Sequence, residues 1–176
     1  MTFPEIFFYF LLYAFGGWLL ENTYNLVRWK PFFKPNFLTG PFKPMYGIVP
    51  VLLVILIQPA MPLELVLFLC LIVPLLVEYI TGALLLRLFS IRYWDYRHLR
   101  FQLHGHVALG YAICWMVLSY GVVIYLHPSV RTLYMLLSRD WLALFPLYFI
   151  YFTLDVIWAV RRHLNLRKSS IRYRPI

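Results

Sequence analysis

The stretch LELVLFLCLIVPLLVEYITGALLLRLF, Leu63 to Phe89, decides how this chain is read. A helix needs about 20 mostly apolar residues to cross the hydrocarbon core of a bilayer, and this run meets that length. It carries a single carboxylate far from either end, Glu78. A charge in hydrocarbon costs at least about 2.5–3.5 kcal/mol, so such a residue faces a bundle interior or a water-filled cavity. The stretch therefore predicts both a membrane span and a candidate polar site.

Working outward, comparable apolar runs occupy Pro4–Val27, Met45–Ile57, Gly105–Leu126 and Trp141–Val160. The second is short and needs Tyr46 and Gln58 at the two interfaces. Gln58-Pro59-Ala60-Met61-Pro62 is a tight turn, its prolines ending one helix and opening the next. The pattern predicts an all-α membrane protein, a single domain over 1–176. It is a bundle of about five transmembrane helices (4–27, 45–57, 63–89, 105–126 and 141–160) followed by a basic tail, 161–176. Composition agrees: 62% of the residues are hydrophobic and only 13% charged, against about 25% charged in soluble domains, and the mean hydropathy is +0.74. Aromatics, 20% of the chain, suit the two membrane–water interfaces. Cys70 and Cys114 both fall in apolar runs and read as small packing residues.

The basic residues sort by link. Arg28, Lys30, Lys34 and Lys43 lie in the first; Arg87, Arg92, Arg97 and Arg100 in or beside the third; Arg161, Arg162, Arg167, Lys168, Arg172 and Arg174 in the tail. The second link has none, and the fourth has Arg131 and Arg139 beside Asp140. With five spans the three rich segments share one side. The positive-inside rule then places the N-terminus outside and the C-terminus in the cytoplasm, and the clusters would attract anionic lipid head groups. A soluble basic face of the kind that binds nucleic acid is missing. Met1 to Glu5 carry no Lys or Arg, so the first apolar run is expected to be retained as a span.

Two further acids share the setting of Glu78: Glu21 and Asp155. At about 1.5 Å rise per residue all three lie roughly 9–14 Å from the cytoplasmic ends of their helices. The expectation is that Glu21, Glu78 and Asp155 converge on one substrate- or ion-binding cavity. The alternative is that each snorkels or pairs separately. Asn22, next to Glu21, and Tyr79, next to Glu78, are candidate supporting residues, and Gly16, Gly17 and Gly82 permit close helix approach.

The first link, Arg28 to Pro44, holds four prolines, at 31, 35, 41 and 44, which forbid a regular helix. It also carries Trp29, Phe32, Phe33, Phe37, Leu38 and Phe42, too apolar for a plain solvent loop. It is expected either to fold back as a lid over the carboxylates, as irregular backbone at membrane depth can when protein buries it, or to rest as a rigid interfacial loop. The third link, Ser90 to His104, interleaves aromatic and basic residues and reads as an interfacial segment lying flat. Its one acid, Asp95, reads first as a local ion pair or cap. Phe37-Leu38-Thr39-Gly40 and Phe101-Gln102-Leu103-His104-Gly105 each follow an acid-bearing span. That hints at a parallel repeat of the kind found in transporters. His104 and His106, two apart, do not share a helix face, and no further ligand stands at a metal-binding spacing. Either could accept a proton near the acids.

No P-loop, dinucleotide fingerprint, nucleophile elbow or zincin motif is present. No catalytic residue, metal or cofactor is assigned, and an enzyme is the less favoured class.

Gly17-Trp18-Leu19-Leu20-Glu21, Leu38 to Gly47, Glu78-Tyr79-Ile80-Thr81-Gly82, Trp94-Asp95-Tyr96 and Phe101 to Gly105, in that order, resemble a bacterial membrane family of ABC-transporter permeases labelled CmpB-like or type IV. The chain departs from the family pattern at Leu86, where members often carry an acid, and at Gln102, where they often carry Asn. Glu21, Glu78 and Asp95 match the family's acids by position. The resemblance implies a multi-pass protein of the bacterial plasma membrane. The leading reading is a transport or permease-like component working as a homo-oligomer or with a separate ATPase chain. A membrane-embedded enzyme acting on a lipid is the alternative, and a non-catalytic interaction protein is the second alternative.

Overall fold

Helix α1, Phe3–Val27, begins where Thr2 and Glu5 cap each other, the Thr2 amide donating to Glu5 Oε2 at 3.3 Å. It stops short of Pro31 and Pro35, which cannot continue it. The computed structural model describes residues 1–172, and its remaining helices are α2 (Pro44–Leu56), α3 (Leu63–Phe89), α4 (Leu109–Gly121) and α5 (His127–Arg172). A π-helical turn, Val122–Leu126, joins α4 to α5. Strands β1 (Gln102–Leu103) and β2 (Val107–Ala108) pair antiparallel, Gln102 opposite Ala108. The protein is thus all-helical apart from one small hairpin. Among the described residues, three helical runs are long and apolar enough to cross a membrane: Phe3–Val27, Leu63–Phe89 and Leu109–Lys168.

The last of these corrects one sequence expectation. Residues 127–140 were expected to be a link between two spans, because they hold Arg131, Arg139 and Asp140. They are helical. Charge marks exposure to water, but Leu, Met and Arg are good helix formers and no glycine interrupts the run. The start of α4 also moves, from 105 to Leu109, because Gln102 to Ala108 form the hairpin. The end of the basic tail, 173–176, lies outside the described residues.

Along α5 the contacts with α1 change direction. His127 Nδ1 meets the Tyr13 hydroxyl at 2.8 Å, Tyr134 packs on Phe8 and Tyr9, and the Trp141 indole donates to the Pro4 carbonyl at 2.7 Å. Phe145 and Phe149 then lie edge-on to Phe3, and Phe152 lies edge-on to Phe10. The contacts climb from Tyr13 to Pro4 and return to Phe10, which a straight helix cannot do. The helix bends, and Pro146, which lacks an N–H, sits in the returning half.

Two cores result. Phe7, Phe8, Tyr9, Leu11 and Tyr13 of α1 pack on Val130 and Trp141 of α5. Val49 and Leu53 of α2 pack on Val66, Cys70 and Val73 of α3 and on Val123. Glycines bring α1 and α2 together: a Cβ on Gly17 would overlap the Tyr46 side chain, and one on Gly47 would overlap Phe10. Such close approach substitutes for the hydrophobic drive that lipid does not provide.

Both Pro- or aromatic-rich links fold back between the helices. The Lys43 amide donates to the Ala14 carbonyl at 3.0 Å. Ala14 lies thirteen residues before the end of α1, about 20 Å along the axis. The third link is half-buried to exposed along its length, and it reaches α3 at two points, with the Tyr96 hydroxyl on Glu78 and the His106 ring, just past its end, against Gly82. An aromatic–basic pattern alone does not reveal these contacts.

Candidate functional site

Glu21 sits near the end of α1, where the returning first link brings two lysines to it. Lys34 Nζ and Lys43 Nζ both bond Oε2, at 2.6 and 2.7 Å. The link is seated by Asn22, which is fully buried: its Nδ2 donates to the Trp18 carbonyl at 2.7 Å and its Oδ1 accepts from the Lys34 amide at 2.7 Å. Asn22 is therefore a positioning residue that fixes where Lys34 enters. Burial lowers the pKa of Lys43, and the charge of Glu21 opposes that shift.

Glu78 is 2% exposed. Its Oε1 accepts from the Tyr96 hydroxyl at 3.1 Å. Burial, and then the charge of Glu78, push the Tyr96 phenol up, so it remains a donor. The Trp115 indole N–H is directed at the carboxyl but makes no hydrogen bond of full geometry, so Oε2 has no hydrogen-bond partner among the described residues. Tyr46, at the start of α2, is in electrostatic contact with both Glu21 and Glu78 and packs on Trp115 with ring centroids 5.0 Å apart. Tyr96 stacks on Tyr111 at 4.7 Å. Glu21 and Glu78 thus belong to one cluster, joined through Tyr46.

Asp155 does not join them. Its two oxygens accept the Thr39 and Gly40 amides at 2.9 and 2.8 Å. Gly40 is needed there, since a Cβ would meet the Tyr151 hydroxyl at 2.8 Å and Asp155 Oδ2 at 3.0 Å. About two turns on, Arg162 donates to the Phe37 carbonyl at 2.8 Å and the His163 ring stacks on Phe37 at 4.6 Å. α5 therefore clamps the Phe37–Gly40 turn, and Asp155 acts on the site through the link.

The other candidates lie apart from the two glutamates. Asp95 is held by Arg97, whose Nε and Nη2 reach its carboxyl at 2.5–2.9 Å, and this pairing holds the carboxyl well below its usual range. Tyr79 bonds His104 Nδ1 at 2.9 Å. His106 is buried, its carbonyl accepting from the Trp94 indole at 2.8 Å, and burial lowers its pKa. Among the described residues no group of three His, Cys, Asp or Glu could hold a metal ion. A separate groove of about 300 Å³, lined by Phe3, Ile6, Phe7, Phe10, Ile48, Val51 and Leu52, offers no polar group.

Lys34, Lys43, Tyr46, Tyr96 and Trp115 were not singled out from the sequence. The one available signal was a pair of lysines in a link too apolar for solvent. The two acids lie 57 positions apart, and only folding shows that Tyr46 stands between them.

No curated protein and no solved structure matches this chain. A family model described as "Putative ABC-transporter type IV" matches residues 8–160. The match spans both glutamates, both folded-back links and Asp155 of α5, and the chain belongs to that ABC-transporter-related family.

Proposed function

We propose that this protein is a transport component of the bacterial plasma membrane whose polar site is the Glu21–Tyr46–Glu78 cluster in the inner leaflet. One observation carries the reading: Glu78 is sealed in the bundle without a cation, beside a glutamate that already has two. A buried charge is expensive, so an acid kept there without a permanent partner has a task. A purely structural interaction protein would have each acid neutralised in place. An enzyme acting on a lipid would need His104 or His106 at the acids, but His104 bonds Tyr79 and His106 packs on Gly82.

In this reading the chain crosses the bilayer five times, with the N-terminus outside and the C-terminus in the cytoplasm. The reversal of α5 along α1 supports it, since Leu109–Trp141 and the segment after Phe145 then run in opposite directions. The basic first link, third link and tail share the cytoplasmic face and contact anionic head groups there. Asp155 acts as the catch that holds the first link over Glu21. Family membership adds a separate ATPase chain as the expected partner, and copurification from native membranes tests for it.

The transport reading is tested with E21C in a chain whose two cysteines are replaced. Sealed vesicles of both orientations are treated with a membrane-impermeant thiol reagent. Alternating access predicts reaction from either face. Reaction from one face alone overturns it.

A further inference from the structure

We propose that Glu78 is the binding point for a small ammonium-type cation, and that Tyr46 and Trp115 are the gate that admits it. The inference rests on the transport reading and adds to it the class of substrate.

The two halves of the site are built alike. In each, an acid on a long helix is met by a folded-back link, followed by a helix of 13 residues with tyrosine in third place, Tyr46 in α2 and Tyr111 in α4. They differ in what the link delivers. The first link gives Glu21 two ammonium groups, at 2.6 and 2.7 Å. The third gives Glu78 one neutral hydroxyl, at 3.1 Å. Glu21 thus shows, in the same protein, what a satisfied carboxylate at this level looks like, and Glu78 lacks the cation that would complete it.

The groups that bear on Glu78 set the chemistry of the missing partner. They are Glu21 from α1, Tyr46 from α2, Tyr96 from the third link and Trp115 from α4. None is a cation. A buried acceptor such as Oε2, left without a donor, calls for one. An N–H-donating cation satisfies the charge and the open acceptor together. An anion satisfies neither. The Tyr46 and Trp115 rings are in contact, 5.0 Å between centroids, and Glu78, on which both groups act, is 2% exposed. Entry therefore requires the two rings to part.

The probe is methylammonium, titrated against thermal unfolding of the full chain in lipid nanodiscs at fixed pH, with potassium at matched concentration as the ionic control. The expected result is a saturable rise in Tm with methylammonium and none with potassium. Glu78→Gln removes the rise, and Glu64→Gln, at an exposed acid in the first turn of α3 outside the cluster, keeps it. No rise in the unaltered chain, or an equal rise with potassium, overturns the inference, as does an undiminished rise in E78Q. A response to pH alone, with none to methylammonium, also overturns it, by making the proton the only cation bound. The gate has its own readout, which does not depend on E78Q folding. With Cys70 and Cys114 replaced, a cysteine at position 78 should react with a cationic thiol reagent several-fold faster when Trp115 is changed to Ala, and equal rates refute the gate. If methylammonium fails while position 21 still reacts from both faces, the substrate class falls and the transport reading stands.

Discussion

Lys43→Met is the most informative single substitution for the energetics of the site. Lys43 and Lys34 share one oxygen of Glu21, but their surroundings differ: the side chains are 13% and 36% exposed, and that of Glu21 is 15% exposed. A hydrogen bond to a charged group in a buried setting contributes about 1.5–3 kcal/mol, and an exposed ion pair about 0.2–1 kcal/mol. K43M should therefore cost about 2 kcal/mol, and K34M well under half of that once solvent screening is counted. Glu21→Gln leaves two ammoniums without their carboxylate and should cost about 3–5 kcal/mol, as broken buried pairs do. The double variant E21Q/K43M removes one of the stranded charges. It should fall short of the sum of the single effects by about 1.5–3 kcal/mol, the coupling expected of residues in direct contact. Reversible unfolding in mixed micelles, followed by circular dichroism, measures all four chains. Additive effects, or a larger loss from K34M than from K43M, would refute the assignment of Lys43 as the principal partner of Glu21.

Asp155→Asn turns one carboxylate oxygen into an N–H donor facing backbone amides. Protease cleavage within residues 28–36 should become faster, while Thr153→Ala, two residues earlier on α5, leaves it unchanged. Gly40→Ala should release the same link by forcing a methyl group against Tyr151 and Asp155, at a cost of about 1–3 kcal/mol. His106, whose folded pKa is depressed, gives the hairpin a pH dependence. Its stabilising contribution is present above the unfolded histidine value of about 6.5 and is lost as pH falls through the lower folded value. Protection factors at 102–108, taken against the intrinsic exchange rate at each pH, should therefore fall on acidification in the unaltered chain and much less in His106→Gln. Pro146→Leu restores a helical N–H and favours a straighter α5; the spin-label distance between positions 4 and 141 should lengthen.

The sequence alone carried the membrane class, the boundaries of α1 and α3 and the short second helix. Each follows from one-dimensional quantities: length of apolar run and position of proline. Leu63–Phe89 announced itself because hydrocarbon tolerates few alternatives to a helix there. Family membership was legible as well, through motifs placed in order along the chain.

Tertiary structure decided which acids work together. Equal depth on three helices says nothing about which way each side chain faces, and Asp155 turned out to hold the Thr39 and Gly40 amides while Glu21 and Glu78 met through Tyr46. The lysines, the tyrosines and Trp115 reach the acids only because two irregular links fold back among the helices, and no periodicity encodes that path. The helical run through 127–140 was hidden for a related reason: polar residues report contact with water, which a helix at a membrane surface shares with a loop.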